Sequence, residues 1–211
     1  MIVAVEGATG AGKTTVARAL AEATGVPRMA MFVADSRIHR QPGRGDRVMT
    51  RRLVEAGIPH NTWLEEIYIA EFVAQTGYHV ITDRSMISGL AWAEMRTEKV
   101  ARYEVMWRAL AWWVERATGA WPSAPGNGLL LVHLTAPAGV LVERATRERG
   151  GELNRNVWRE VILMDSWMTA AKQLGAPVRK FDVEALSASE IVDALKEEVS
   201  HGFGRNASTS G

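Results

Sequence analysis

Eight residues near the N-terminus have the types and the spacing that bind a phosphate chain. Residues 7–14 read Gly-Ala-Thr-Gly-Ala-Gly-Lys-Thr, and the apolar, branched run 2–5 before them predicts a buried strand. A glycine-rich turn between a strand and a helix lets backbone N–H groups and the helix dipole face an anion. The ligand that this motif predicts is a nucleoside triphosphate with Mg²⁺. The candidate binding residues are Gly7, Gly10, Ala11, Gly12, Lys13, Thr14 and Thr15.

Two side chains of this motif and one from a distant strand would neutralise the phosphates, either directly or by binding Mg²⁺. Lys13 would neutralise the terminal phosphates, and the Thr14 hydroxyl would hold Mg²⁺. The apolar run 79–83 predicts a strand that ends on Asp83, which would be the second Mg²⁺ contact, usually through water. The plain alternatives are a glycine-rich turn without a ligand and an aspartate that caps the next helix.

To bring these residues together, strands must alternate with helices, and the hydrophobic pattern predicts that alternation. Strands are predicted at residues 2–5, 29–33, 79–83, 129–134 and 177–183. Helices are predicted at residues 14–23, 61–75, 85–95, 98–118, 141–148, 157–174 and 187–199. We therefore expect an α/β fold of three layers, in which helices flank a five-stranded parallel sheet and ligands bind at the carboxyl ends of its strands.

Length and composition indicate the class of protein and its compartment. The 211 residues predict one domain over 1–200, and the small polar residues of 201–211 predict a flexible tail. The net charge of +1 disfavours a nucleic-acid partner, and no apolar run is long enough to span a membrane. Because cysteine is absent, disulfides and thiolate metal sites are excluded. The N-terminus has no signal-peptide pattern, so we expect a cytoplasmic protein.

The predicted helix at 98–118 is apolar over a wide arc. Its tryptophans stand at positions 107, 112 and 113, together with Leu110 and Val114. Such an arc is typical of a core helix or of a homodimer interface, and the sequence leaves both alternatives open.

Four segments match, in chain order, the motifs of a known enzyme family. The first is Val5-Glu6-Gly7 with residues 10–15, and the second, at 39–43, is similar to a Thr-Arg-Glu-Pro-Gly loop. The third joins Asp83-Arg84 to Ser88 and residues 90–92, similar to Asp-Arg-Tyr, Ser and Leu-Ala-Tyr. The fourth, at 147–155, is similar to an arginine-bearing lid. Over most of residues 1–165 the chain thus resembles thymidylate kinase and the related deoxynucleoside kinases.

The resemblance implies a nucleoside-monophosphate-kinase-like fold and a nucleotide kinase. Such an enzyme would use ATP and Mg²⁺ to phosphorylate a deoxynucleoside monophosphate, with a thymidylate-like or modified pyrimidine nucleotide as its small-molecule substrate. Arg84 would bind the acceptor phosphate with help from Arg40, and Ser88 and Trp92 would contact the nucleoside. A lid at about 144–156 would close over the triphosphate with four arginines, Arg144, Arg147, Arg149 and Arg155. The alternative for the lid arginines is a solvated helix face with local ion pairs. The alternative for Trp92 is an aromatic residue of the core.

Departures from the family motifs leave the acceptor open. The family often has glutamate, glutamate and glutamine at the positions of Thr9, Gln41 and Ala93. Asp83-Arg84-Ser85 also resembles the Glu-Arg-Ser of deoxynucleoside kinases, for which Asp35 would be the general base. A kinase of a hydroxylated base in DNA is a further alternative, disfavoured by the low net charge. A regulatory ATPase that hydrolyses nucleotide without an acceptor is another alternative. It is disfavoured because Asp83 is followed by Arg84 instead of a catalytic carboxylate. The expected catalytic residues are Lys13, Asp83, Arg84, Arg147, Arg149 and, for a hydroxyl acceptor, Asp35.

Overall fold

The computed structural model describes residues 1–30, 79–96, 103–119, 128–149 and 157–204, together with Ile69 and Val73. Both of these isolated residues are helical, as the predicted helix over 61–75 requires. The rest of that helix lies outside the described residues. So do Asp35 and Arg40, and the part of the predicted lid at 150–156.

The strand β1, Ile2–Gly7, lies at the centre of a parallel sheet, and all six of its residues are buried. The other strands are β2 (Arg28–Ala30), β3 (Val80–Asp83), β4 (Leu129–Thr135) and β5 (Val178–Asp182). Within the described part of the chain, five strands follow the order β2-β3-β1-β4-β5, and every neighbouring pair is parallel. The prediction of a five-stranded parallel sheet is confirmed.

Helices cover both faces of this sheet. They are α1 (Lys13–Thr24), α2 (Met86–Arg96), α3 (Tyr103–Gly119), α4 (Ala138–Arg149), α5 (Val157–Gln173) and α6 (Ala188–Gly204). Successive side chains of a strand point to opposite faces, so β1 contributes to two separate cores. Ile2 and Ala4 pack with α2, α3 and α5, whereas Val3 and Val5 pack with α1 and α6. The result is the expected arrangement of helix, sheet and helix in three layers.

The apolar helix predicted at 98–118 contributes to the core. Leu110 and Trp113 of α3 have no exposed surface, and Val114 has 2% of its surface exposed. Trp107 and Trp112 are partly buried and pack against the same core. Of the two alternatives for this helix, burial confirms the core role for Leu110, Trp113 and Val114.

Among the described helices, the start of α4 and the end of α6 differ from the predicted boundaries by three residues or more. The helix α4 begins at Ala138, three residues before the predicted start at 141. The last helix, α6, continues through His201 to Gly204, so the predicted tail is wrong over residues 201–204. A single glycine in a helix costs only about 1 kcal/mol, and Gly202 therefore does not end a helix whose Val199 is fully buried. No described helix combines the length and the apolar character needed to cross a bilayer.

Candidate active site

The loop between β1 and α1 has its open side at the start of α1. Gly10 and Gly12 have positive φ angles of 84° and 79°, and Gly12 is the N-cap of α1. Because no side chain caps this helix, its first N–H groups have no side-chain partner there. A Cβ atom added to Gly12 would meet nothing within 4 Å. The helix start is therefore open to an anion, and phosphate binding there stays a prediction.

Two other glycines fix the loop against its neighbours. A Cβ on Gly7 would lie 2.5 Å from the carbonyl oxygen of Leu134 in β4. A Cβ on Gly10 would lie 2.6 Å from the carbonyl oxygen of Leu141 in α4. Both distances are too short for any side chain, so glycine at these positions allows the loop to rest directly on β4 and α4.

Lys13 folds back over this loop. Its Nζ donates a hydrogen bond of 2.8 Å to the carbonyl oxygen of Ala8, and the residue is 5% exposed. Burial and, to a smaller extent, the charge of Arg84 lower the pKa of Lys13 to about 8, against the opposite effect of the carboxylates of Glu160, Glu6 and Asp83. The ammonium group therefore sits among charges of both signs. Ala11 is buried below the loop, and Thr14 and Thr15 are exposed at the start of α1.

The register of β1 and β3 brings the predicted pair Asp83-Arg84 to the same edge as the loop. Val5 pairs with Asp83, and the Arg84 N–H donates to the Val5 carbonyl oxygen at 3.1 Å. Asp83 is 8% exposed, and its Oδ2 lies 3.6 Å from Nη1 of Arg28 in β2. Arg84 is the one non-glycine residue with positive φ in the described part of the chain, at 86°.

A carboxylate to which the sequence analysis gave no role lies between the phosphate loop and the Asp83-Arg84 pair. Glu6 has no exposed surface, and its Oε1 accepts hydrogen bonds from the N–H and Oγ of Ser85 at 2.5 and 2.6 Å. The Ser88 hydroxyl donates to Oε2 at 2.6 Å, and the Ser88 N–H donates to Oε1 at 3.3 Å. Burial raises the pKa of Glu6, and the serine hydrogen bonds and the charges of Arg84 and Lys13 act in the opposite direction. A single carboxylate inside an otherwise apolar strand was the available signal.

The side chain of Arg84 contacts two of the predicted acceptor residues. Its Nη1 donates to the Ser88 Oγ at 3.5 Å, and its guanidinium carbon lies 5.1 Å from the centre of the Trp92 ring. The Trp92 Nε1 donates at 3.4 Å to Oε1 of Glu160, which is 4% exposed. Trp92 is half-buried, whereas Ser88 has no exposed surface. Sequence reasoning missed Glu160 because one acidic residue in a helix carries no distinctive pattern.

The structure brings together the loop, Asp83, Arg84, Ser88 and Trp92, but it does not bring the described lid arginines to them. The Arg144 Nη2 donates at 3.0 Å to the carbonyl oxygen of Val183, which follows β5. Arg147 pairs with Glu143 at 2.7 Å, and both side chains are largely exposed. This exposed pair is the solvated helix face that the sequence left as an alternative. Only the backbone of Arg149 is described, and closure of a lid stays a prediction.

The arrangement of a parallel sheet between two layers of helices is shared with solved structures of other proteins. The chain is similar to the structure of the YorR protein from Bacillus subtilis in complex with phosphorylated GDP. That match has a TM-score of 0.59 and 17% identity, and covers 95% of this chain and 96% of that one.

A second similar structure is deoxyadenosine kinase from M. mycoides, solved with the products dCMP and dCDP. Its TM-score is 0.54 at 12% identity, with coverage of 95% of this chain and 99% of that one. No protein-family model and no curated protein matches the sequence. At these identities the likeness shows the shared fold, and the specific resemblance to thymidylate kinase stays a prediction.

Proposed function

We propose that this protein transfers the γ-phosphoryl group of ATP to a deoxynucleoside monophosphate. The acceptor is a thymidylate-like or modified pyrimidine nucleotide. The observation that carries the proposal is the position of Arg84, whose guanidinium lies beside an aromatic ring and on the same sheet edge as the phosphate loop. A cation next to a flat apolar face suits a phosphate joined to a nucleoside.

The donor half of the proposed site is the loop of β1 and α1. The uncapped start of α1 and the buried ammonium of Lys13 would hold the β- and γ-phosphates. The Thr14 hydroxyl and the Asp83 carboxylate are oxygen ligands, the kind that Mg²⁺ prefers, so these residues fit the ion. Thr14 and Asp83 would hold Mg²⁺, which would supply positive charge near the phosphates during transfer.

The acceptor half is Arg84 with Trp92. The guanidinium would bind the acceptor phosphate, and the half-buried ring would lie beside the base. An oxygen of that phosphate attacks the γ-phosphorus, the bond from the γ-phosphorus to the β–γ bridging oxygen breaks, and ADP leaves. Because a phosphate oxygen is already anionic, this reaction needs no general base. The lid arginines, including Arg149, would add positive charge on the donor side.

A deoxynucleoside kinase is the second candidate. It is supported by the structural likeness to deoxyadenosine kinase, which extends over 95% of the chain. A hydroxyl acceptor must lose its proton during attack, and Asp35 would take it. A kinase that phosphorylates a hydroxylated nucleobase in DNA would also use Asp35 as its general base.

The test is an acceptor screen with ATP and Mg²⁺, scored by ADP release. The panel contains deoxynucleoside monophosphates, the matching nucleosides and a DNA duplex with a hydroxymethylated base. Phosphorylation of monophosphates supports the proposal. Turnover of nucleosides alone overturns it in favour of the second candidate, for which Asp35→Asn should abolish activity and spare ATP binding. ADP release without any acceptor would instead indicate a regulatory ATPase.

A further inference from the structure

Glu6 has a set of partners that the proposed reaction does not by itself explain. Its carboxylate is buried at the end of the central strand, and four donors converge on its two oxygens. All four belong to Ser85 and Ser88, at the start of α2. An ionised group in such a place is expensive to desolvate unless its hydrogen bonds and nearby charges compensate.

The start of α2 has a cap that does not need this carboxylate. The Ile87 N–H donates at 3.3 Å to the Ser85 hydroxyl oxygen, which is the usual role of an N-cap serine. An apolar side chain at position 6 would match the other buried residues of β1. The charge of Glu6 therefore requires an explanation beyond capping of the helix.

The first part of the explanation is the backbone at Arg84. A φ of 86° is unfavourable for an arginine, and such a conformation persists only where its surroundings hold it. The peptide group before the Arg84 Cα donates to Val5, at 3.1 Å. The peptide group after it donates to the Glu6 Oε1 at 2.5 Å. Two consecutive residues of β1 thus hold both sides of this kink.

The second part is a chain of hydrogen bonds to the Arg84 side chain. The guanidinium can only donate, so at 3.5 Å the Ser88 oxygen accepts from Arg84 Nη1. The single proton of this hydroxyl is directed to the Glu6 Oε2 at 2.6 Å. The direction of the chain is therefore fixed from guanidinium to hydroxyl to carboxylate.

We propose that Glu6 is the positioning residue for Arg84. It holds the left-handed kink through the Ser85 N–H, and it orients the guanidinium through the Ser88 hydroxyl. The inference rests on the proposed role of Arg84 as the contact for the acceptor phosphate. Since Glu6 directly precedes Gly7, one strand end then fixes both the phosphate loop and the acceptor arginine. On this account Ser88 acts through Arg84, because its hydroxyl is buried and already bonded at both ends.

Two serine variants make a matched test, because each removes one buried hydroxyl from the same carboxylate. In Ser88→Ala the chain to Arg84 is cut, whereas in Ser85→Ala the chain remains and the cap of α2 is lost. We expect Ser88→Ala to raise the KM for the acceptor about tenfold and to leave the KM for ATP within about twofold. Ser85→Ala should lower the unfolding midpoint and change neither KM by more than about twofold. Glu6→Gln should behave as Ser88→Ala does and weaken acceptor binding further.

A spectroscopic measurement keeps this inference separate from the proposed reaction. With 5-fluorotryptophan, the resonance of Trp92 can be assigned by Trp92→Phe, and the ring reports on Arg84 at 5.1 Å from its centre. Ser88→Ala and Glu6→Gln should move this resonance toward its position in Arg84→Ala, and Ser85→Ala should not. If no acceptor is phosphorylated, the proposed function fails while this result still decides the role of Glu6.

The opposite results would overturn the inference. Equal losses of stability and equal acceptor KM values in both serine variants would make Glu6 an anchor of α2 only. An unchanged Trp92 resonance in Ser88→Ala would show that Arg84 does not depend on the chain of hydrogen bonds. Should Glu6→Gln fail to fold, the two serine variants decide the question by themselves.

Discussion

The phosphate loop and the kink at Arg84 follow neighbouring strands, and both require backbone with positive φ. The loop uses glycine for this purpose, with φ angles of 84° at Gly10 and 79° at Gly12. The kink uses arginine at almost the same angle, 86°. Glycine adopts this conformation without strain, whereas a residue with a Cβ pays roughly 1–2 kcal/mol. The same backbone conformation is thus unstrained in the loop and strained at the kink.

This difference indicates what each region uses to bind its ligand. The loop presents backbone N–H groups, so a side chain would only obstruct it, and a Cβ on Gly10 would meet a carbonyl oxygen at 2.6 Å. The kink presents a guanidinium, which no backbone group can replace. Strain is therefore tolerated where a particular side chain must point in a particular direction, and Val5 and Glu6 hold that strain in place.

The largest effect is expected from loss of the buried ammonium on the donor side. Lys13→Met should lower kcat by about 10³-fold, because a positioned charge at the transferring phosphoryl group is lost. Lys196, which is 49% exposed and paired with Asp193, offers the control Lys196→Met. Steady-state kinetics with a saturating acceptor measure both. A tenfold loss or less in Lys13→Met would mean that the loop binds phosphate by its backbone alone.

On the acceptor side, two replacements of Arg84 separate its side chain from its strain. Arg84→Ala and Arg84→Gly should each lower kcat/KM for the acceptor by about 10²-fold, because both remove the guanidinium. Only glycine relieves the positive φ, so Arg84→Gly should be more stable than Arg84→Ala by about 1 kcal/mol. Urea unfolding measures that difference. A more stable Arg84→Ala would show that this backbone is not strained.

The contrast between the two regions also explains what the sequence could reveal. The loop was recognisable from Gly7 to Thr14 because backbone binding requires glycines at fixed spacing. The alternation of apolar runs similarly predicted the five parallel strands. The hydrogen-bond partners of Glu6 and Glu160 could not be found this way, because they lie at least 79 residues from Glu6 and 68 residues from Glu160 in sequence. The backbone angle at Arg84 leaves no trace in residue type, since an arginine is the opposite of what that angle favours.

Gly10 in the phosphate loop and Gly25 at the end of α1 have similar φ angles, so they can be compared by their surroundings. Gly10→Ala should destabilise the fold by about 3 kcal/mol, because strain and a contact of 2.6 Å with the Leu141 oxygen combine. Gly25→Ala, at φ 70° with nothing within 4 Å, carries the strain alone and should cost about 1 kcal/mol. Thermal unfolding of both variants tests the difference. Equal losses would mean that α4 moves away from the loop easily.

A smaller effect concerns the protonation of Lys13 on the donor side. The pKa of Lys13 is lowered from 10.5 to about 8 in the folded protein. Between about pH 8 and pH 10.5 the unfolded chain therefore binds more protons than the folded one, and the free energy of unfolding rises with pH. Phosphate favours the charged form, so ATP binding should show the opposite trend and weaken about fivefold from pH 8 to pH 9. Isothermal titration calorimetry measures the affinity. Lys13→Met should remove the pH dependence, and an equal decline in that variant would assign it to another group.

The smallest effect shows whether the donor side extends from the loop to α4. Arg147 and Glu143 form an exposed pair, so Arg147→Ala should change the free energy of unfolding by less than about 0.5 kcal/mol. Arg144→Ala removes a hydrogen bond to the Val183 oxygen and should destabilise the fold by about 1 kcal/mol. If Arg147 closes over the triphosphate, its removal should still lower kcat about threefold, since charge at the phosphates is reduced. An unchanged kcat would leave Arg147 as a solvated surface residue and confine the donor side to the loop and Lys13.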